Sequence, residues 1–259
     1  MLLAIDIGNS HITLGLWSGR DWVHQWRLRT VHDKTVDEYG VYLRTLLREN
    51  STVEQVDDAI LSSVVPPLTA TFVEVCRQYL GLEALLVDAN TPTGIVIATE
   101  NPAEVGADRI VNAAAAHQHF EGASIVVDMG TATTFDVISA KGELLGVAIA
   151  PGLDLAAGAL ASRAAQLGRV ALKAPPSAIG RNTVQAMQSG LVFGYVSLIE
   201  GLVERIAAEL EEPQINVIGT GGLITVIAPL TEVITHVEPW LTLNGLLTIF
   251  QLNRLSDSS

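Results

Sequence analysis

Two stretches half a chain apart each end an apolar run on a carboxylate and follow it with a glycine turn. In "LLAIDIGNSHIT" the run Leu2 to Ile5 meets Asp6, and Gly8 and Asn9 follow. In "IVVDMGTATT" the run meets Asp128, and Gly130 follows. A tight turn at a strand end leaves backbone N–H groups to point at an anion. The carboxylate beside it can organise a cation. Two facing copies could hold a polyphosphate between them, with hydroxyls from Ser10 and Thr13 at the first turn and Thr131, Thr133 and Thr134 at the second. This is equipment for phosphoryl transfer, where positioning and charge neutralisation do most of the work. Either turn alone reads as a polar hairpin. The pair, with a third glycine-rich strand end at Gly219–Gly222 suited to a flat base, reads as a nucleotide cleft.

A second candidate lies in "NPAEVGADRIVNAAAAHQHF". The pattern predicts one helix over 101–120, with Asn101 as its cap and Pro102 at its first position. Glu104, Asp108 and Asn112 then share a polar face at i, i+4 spacing. Asp108 is a candidate general base, and Arg109 a cation suited to a substrate carboxylate. Gly106 inside that helix costs about 1 kcal/mol relative to alanine, which a ligand approaching the backbone would explain. A solvated face with an ordinary Asp–Arg pair is an equally good reading of the spacing alone. His117 and His119, two apart on a helix, do not share a face and make a poor metal pair. His11 could touch a phosphate, though a partly exposed strand residue is the simpler reading. Asn182 or Arg181 opens a further helix with Thr183 in its first turn; an ordinary cap accounts for it.

These residues need a scaffold, and the patterning supplies one. Residues 2–7, 11–17 and 22–29 read as an antiparallel three-strand meander, with Trp22, Trp26 and Leu28 on one face and Gln25, Arg27 and Arg29 on the other. Thr35 and Glu38 have capping-box spacing, so a helix starts there. A strand at "DDAILSSVV", a helix at "LTATFVEVCRQYLG" and a strand at "ALLVD" complete βββαβαβ by Asp88. Residues 89–100 form a connection with one short strand. A second meander opens at "ASIVVDMG", 122 residues after the first. Helical patterns follow over 152–166 and 182–210, then strands at "INVIGT" and "EVITHVE" and a helix at "LTLNGLLTIFQLNRL". The expected fold is α/β, a duplication with domains at 1–100 and 101–259.

Composition narrows the class. The chain has 259 residues and 49% apolar residues, enough for two cores. The formal net charge is −13, which disfavours non-specific contact with nucleic acid or an anionic membrane. A phosphate ligand must therefore be neutralised locally, by a cation, backbone N–H groups or a few placed arginines. None of Lys34, Lys141 and Lys173 lies in a P-loop. Cys76, the single cysteine, reads as a buried core thiol. No secretory leader or membrane span is visible, and a cytoplasmic protein is expected.

Taken together, "DIGNSHI" at 6–12, "ENPAEVGADRIVNA" at 100–113, "DMGTATTFD" at 128–136, "IGRNTVQAMQSG" at 179–190 and "GTGGL" at 219–223 resemble the type III pantothenate kinases. These belong to the acetate kinase–sugar kinase–Hsp70–actin superfamily. The resemblance implies two ribonuclease H-like (actin-like ATPase) domains, each a mixed sheet with an antiparallel three-strand meander, and ATP in the cleft between them. It implies ATP-dependent phosphorylation of pantothenate to 4'-phosphopantothenate, the first step of coenzyme A synthesis. By the same resemblance Asp6, Ile7, Gly8, Asn9, Ser10, His11, Ile12, Thr13 and Thr131 contact ATP. Thr99, Gly106, Ala107, Asp108, Arg109 and Thr183 contact pantothenate. Asp108 is the base, and Thr183 comes from the other subunit of a homodimer. Asp6 helps hold Mg²⁺ or another divalent cation, and Asp128 a monovalent cation, K⁺ or NH₄⁺. Two positions depart from the family pattern: Thr99 stands where tyrosine is usual, and Met129 where phenylalanine is commoner. A nucleotide-binding accessory protein, or a small kinase for another hydroxylated acid, are the alternatives.

Overall fold

The computed structural model describes residues 1–50, 55–88, 90–163 and 168–257. They form two compact units. Unit 1 comprises the described residues of 1–95, 100–115 and those from Thr242 onward; unit 2 comprises 96–99 and those of 116–241. The predicted helix at 152–166 lies partly outside the described residues.

Unit 1 is built on a five-stranded sheet. Its strands are β1 (Leu2–Ile7), β2 (His11–Trp17), β3 (Trp22–Arg29), β4 (Asp58–Ser63) and β5 (Leu85–Leu86), in the order β3-β2-β1-β4-β5. β1, β2 and β3 pair antiparallel, as the alternation predicts, while β4 and β5 add parallel strands. Leu3, Ile5 and Ile7 share a face with Ile12, Leu14 and Leu16, all fully buried. Tyr39, Leu43 and Leu47 of α1 (Val36–Glu49) and Leu68, Phe72 and Val75 of α2 (Pro66–Val75) complete that core. Burying each such side chain contributes about 1.5–3 kcal/mol. The capping box is present: Glu38 N–H donates to Thr35 Oγ1, and the Glu38 carboxylate accepts from Thr35 N–H. Cys76 is buried, and burial pushes its thiol up to about 12, so it is an inert core residue.

The other face of this sheet carries Ala4, Asp6, Thr13 and Gly15 and meets α8 (Leu241–Asp257). A Cβ on Gly15 would lie 2.8 Å from Leu243 Cδ1 and 2.6 Å from the Trp22 ring. Trp22 therefore does not share a face with Trp26 and Leu28. A β-bulge at Leu16/Trp17 pairs Trp22 with Trp17 and turns it over, and its indole N–H donates to Asn244 Oδ1 at 2.9 Å. Gly245 of α8 packs on α3 (Ala107–His119), where a Cβ would stand 2.1 Å from the Val111 carbonyl oxygen.

Unit 2 repeats the plan. Its sheet runs β11-β10-β7-β8-β9-β6, from β6 (Val96–Ile97), β7 (Ala123–Met129), β8 (Ala132–Ile138), β9 (Glu143–Pro151), β10 (Ile215–Thr220) and β11 (His236–Val237). The segment β9-β8-β7-β10-β11 has the same order and strand directions as β3-β2-β1-β4-β5. α4 (Leu153–Arg163), α5 (Thr183–Gln188), a π-helical turn (Ser189–Phe193), α6 (Gly194–Leu210) and the short α7 (Ile224–Ile227) follow in sequence, and Leu153, Leu191, Val192, Val196, Ile199 and Val203 pack on Ile125, Val127 and Phe135. Met129 lies in this core, so its replacement of phenylalanine is an apolar exchange within packing. The predicted strand at "EVITHVE" contracts to His236 and Val237, in register with Ile218 and Gly219 of β10, while Thr235 and Glu238 N–H donate to β10 carbonyls on either side. Among the described residues no helix is long and apolar enough to cross a membrane.

Candidate active site

Within unit 1, three chain segments converge at one end of the sheet. β1 delivers Asp6, whose Oδ1 accepts from Ser62 Oγ of β4 at 2.6 Å. Just past β4, Val64 N–H donates to the Ile7 carbonyl at 3.1 Å. Val64 in turn abuts Gly106, where a Cβ would lie 3.3 Å from Val64 Cγ1. The single helix expected over 101–120 is two pieces: a 3₁₀ turn at Pro102–Glu104, an extended Val105, and then α3 from Ala107. Gly106 is thus not a helix-interior residue. Its carbonyl accepts from Arg109 and Ile110 N–H, which makes it the cap of α3. Asn101 makes no side-chain cap bond, and Glu104 lies outside the helix that carries Asp108. Asn112 is buried and accepts from Thr242 Oγ1 of α8, a structural role.

The consequence for Asp108 is specific. It stands in the first turn of α3, where unpaired N–H groups favour a negative charge. Its Oδ1 accepts from the Arg109 backbone N–H at 2.9 Å and from Arg109 Nη1 at 3.1 Å. A Cβ on Gly106 would sit 2.6 Å from that same Oδ1. Glycine lets the carboxylate fold over it; a side chain there would push the Asp108 carboxylate aside. Asp108 and Arg109 are 30% and 17% exposed, so the pair is accessible to a ligand while held in place.

The first glycine turn is anchored from behind. Gly8 N–H donates to His11 C=O at 3.0 Å, closing the turn. Thr30, buried just beyond β3, donates its hydroxyl to the Gly8 carbonyl at 2.6 Å and its N–H to the Ser10 carbonyl at 3.0 Å. The next residue, Val31, exchanges both backbone groups with the Tyr39 hydroxyl. Ile7 and Ile12 are fully buried in the core, so they can meet a ligand only through their backbone. His11 is exposed at the turn; partial burial and the nearby Arg27 and Arg29 hold its pKa below the usual value, which favours the neutral ring at pH 7.

Unit 2 carries the second turn with one residue fewer. Asp6 pairs with Thr13, seven residues on, and Asp128 with Thr134, six residues on. On the parallel side Asp6 is opposite Ser62, and Asp128 opposite Thr220. Each carboxylate is thereby flanked across the sheet by two hydroxyl residues. Thr133 is placed differently from expectation: it is opposite Met129 and fully buried, so it belongs to the core face. Thr131 is exposed at the turn, and its carbonyl accepts from Gly152 N–H at 3.2 Å. Gly221, at φ +89°, packs against Asp128, where a Cβ would lie 2.5 Å from Oδ1. Thr99 lies beyond β6 with its Oγ1 buried. Thr183 is exposed at the start of α5, which Asn182 caps through Gln185 N–H at 2.9 Å. Ser62, Thr30 and Gly152 are additions that the motifs did not single out. Only Ser62 left a trace, as a polar end to an apolar strand that mimics the Asp6 pattern.

Two sheets of one topology, each ending its first strand on a hydroxyl-flanked carboxylate, define the fold of actin-like ATPases and sugar kinases. Solved structures agree on that fold. A Campylobacter jejuni protein described as a Baf family transcriptional activator superposes with a TM-score of 0.60 at 18% identity, covering 97% of this chain and 98% of that one. A 2-dehydro-3-deoxygalactonokinase from Sinorhizobium meliloti does so with a TM-score of 0.56 at 13% identity, covering 98% and 99%. The family model for type III pantothenate kinase matches residues 2–205. The type III pantothenate kinase of Anaeromyxobacter sp. (strain K) is 48% identical over 255 residues, 98% of this chain and all of the relative. The chain belongs to the type III pantothenate kinase family.

Proposed function

We propose that the protein transfers the γ-phosphoryl group of ATP to the 4'-hydroxyl of pantothenate, with Asp108 as the base. The observation that carries this reading is the convergence of Asp6, Val64 and the Gly106–Arg109 cap at one end of the unit 1 sheet. In this assignment the backbone of the Gly8–His11 turn and that of Gly130–Thr131 receive the phosphates. Asp108 accepts the proton of the attacking hydroxyl, and Arg109 both orients Asp108 and pairs with the pantothenate carboxylate. Thr99 and Thr183 are further proposed pantothenate contacts. Asp6 is opposite Thr13 and Ser62, and Asp128 opposite Thr134 and Thr220, oxygen-bearing side chains of the kind that suits hard cations. Asp6 would hold the divalent ion and Asp128 the K⁺ or NH₄⁺. Among the described residues no group of three or more His, Cys, Asp or Glu could cage a metal, so a divalent ion at Asp6 would draw its other ligands from phosphate and water, as Mg²⁺ does. Bound there, such ions supply neutralisation of the phosphate charge.

A homodimer with Thr183 reaching the partner's site belongs to the same proposal. Val147 and Ile149 of β9 are 42% and 64% exposed and share one face of the sheet. An apolar strip of this kind suits a second copy. For the accessory-protein alternative, the description of the Campylobacter jejuni protein adds no support, because at 18% identity that likeness concerns the fold.

The test is a substrate panel. With ATP, Mg²⁺ and K⁺, ADP release is expected with pantothenate and at background level with other hydroxylated acids. Equal release with another acid would move the assignment to that substrate. A second expectation concerns Thr30. Thr30→Val removes one hydrogen bond to the phosphate turn, about 1 kcal/mol, so KM for ATP should rise about fivefold with KM for pantothenate unchanged. Thr30→Ser should restore it. Parallel changes in both KM values would show that Thr30 acts on the fold at large.

A further inference from the structure

β3 carries two cations on the face of the sheet that bears Asp6, and the roles assigned so far use neither. Arg27 is opposite Thr13, which is itself opposite Asp6, so the three stand in one row across β3, β2 and β1. Arg29 is opposite His11, at the mouth of the glycine turn. Strands lie about 4.8 Å apart, so the Arg27 Cα stands about 10 Å from that of Asp6, within the span of an arginine side chain and a phosphate. Arg29 therefore stands beside the turn, and Arg27 one step further along the same face of the strand. Both arginines are exposed.

We propose that Arg27 and Arg29 bind the phosphate chain of the nucleotide, forming the cationic flank of the first glycine turn. The proposal rests on the reading of that turn as a phosphate site and extends it to two residues outside the recognised motifs. Charge supplies the reason. The chain carries a net −13, and the proposed phosphate site has the Asp6 carboxylate at its edge. No lysine stands in either glycine turn: Lys34, the one near the first, pairs with Glu38 and the Tyr42 hydroxyl. Arg109 is assigned to Asp108 and the pantothenate carboxylate in the proposed function. A guanidinium offers paired N–H donors that match two phosphate oxygens, which a hydrated ammonium does not. His11, opposite Arg29 and with its pKa held below the usual value, adds little repulsion to the arginines and can still donate one hydrogen bond to a phosphate oxygen.

The experiment is a set of nucleotide titrations without pantothenate. AMP, ADP and ATP, each with Mg²⁺, are titrated into the parent protein and into Arg27→Gln and Arg29→Gln, with thermal unfolding as a check of the fold. ATP affinity should fall at least fivefold in each variant, ADP affinity by less, and AMP affinity should stay within twofold. Arg27→Lys should keep part of the ATP affinity. ATP affinity within twofold of the parent in both glutamine variants overturns the proposal. So do equal losses from AMP to ATP, because a residue that merely balances Asp6 or supports the strand cannot count phosphates. A parent protein that binds ATP but leaves pantothenate unphosphorylated defeats the substrate assignment alone. A parent protein that binds no nucleotide defeats both.

Discussion

Asp108→Asn is expected to lower kcat about 10²–10⁴-fold while the affinity for ATP stays within twofold of the parent. Asparagine keeps the size of the side chain and can still accept from the Arg109 backbone N–H through its amide oxygen. It cannot take a proton from the attacking hydroxyl. The loss should therefore appear in kcat, and little of it in the binding of a nucleotide whose proposed contacts are at the Gly8–His11 turn. KM for pantothenate should change modestly, because Arg109 loses its charged partner and becomes freer to pair with the substrate carboxylate. Steady-state kinetics with both substrates varied, alongside direct ATP titration, separates these effects. Unchanged kcat would remove Asp108 from the base role. A parallel loss of ATP affinity would recast it as a binding residue.

The second large effect is expected at Gly221. Its φ of +89° lies where side chains are strained, and a Cβ there would stand 2.5 Å from Asp128 Oδ1 and 2.6 Å from Met129 backbone atoms. Neither backbone nor a packed strand end yields cheaply. Gly221→Ala should cost more than about 1 kcal/mol of stability from the conformation alone. The displaced atoms are those that place Asp128, so any dependence of turnover on K⁺ should weaken at the same time. Thermal unfolding and a K⁺ titration of turnover measure the two parts. Gly222→Ala, one residue on, is the comparison. A Gly221→Ala protein of parent stability and parent K⁺ response would mean that Asp128 is not held by this contact.

Much of this architecture is legible in the residues. The meander strands at 2–7, 11–17 and 22–29 come from alternation and turn chemistry, which are local, and the observed limits agree. The duplication is legible because Asp6-x-Gly8 and Asp128-x-Gly130 recur, although the one-residue difference in turn length appears only in the pairing of Thr13 and Thr134. What escapes is whatever depends on distant partners. Trp22 changes face through a bulge that no alternation encodes. Gly106 reads as a helix-interior residue because Asn101-Pro102 is a good start signal, yet Val105 turns extended and resets the helix at Ala107. Thr133 and Thr134 are adjacent hydroxyls, and only the register decides which one shares a face with Asp128. Ser62 and Thr30 serve the turn from 56 and 22 residues away in sequence.

The central claim is that this chain phosphorylates pantothenate using Asp108, and the most direct measurement follows the phosphoryl group itself. Purified protein is mixed with ATP labelled at the γ-phosphate, Mg²⁺, K⁺ and pantothenate, and the label is traced by phosphorus NMR and mass. The expected result is label on the 4'-hydroxyl oxygen of pantothenate with stoichiometric ADP, and no such product from Asp108→Asn on the same timescale. Label remaining in ATP, released as free phosphate, or reaching pantothenate equally fast with Asp108→Asn would contradict it.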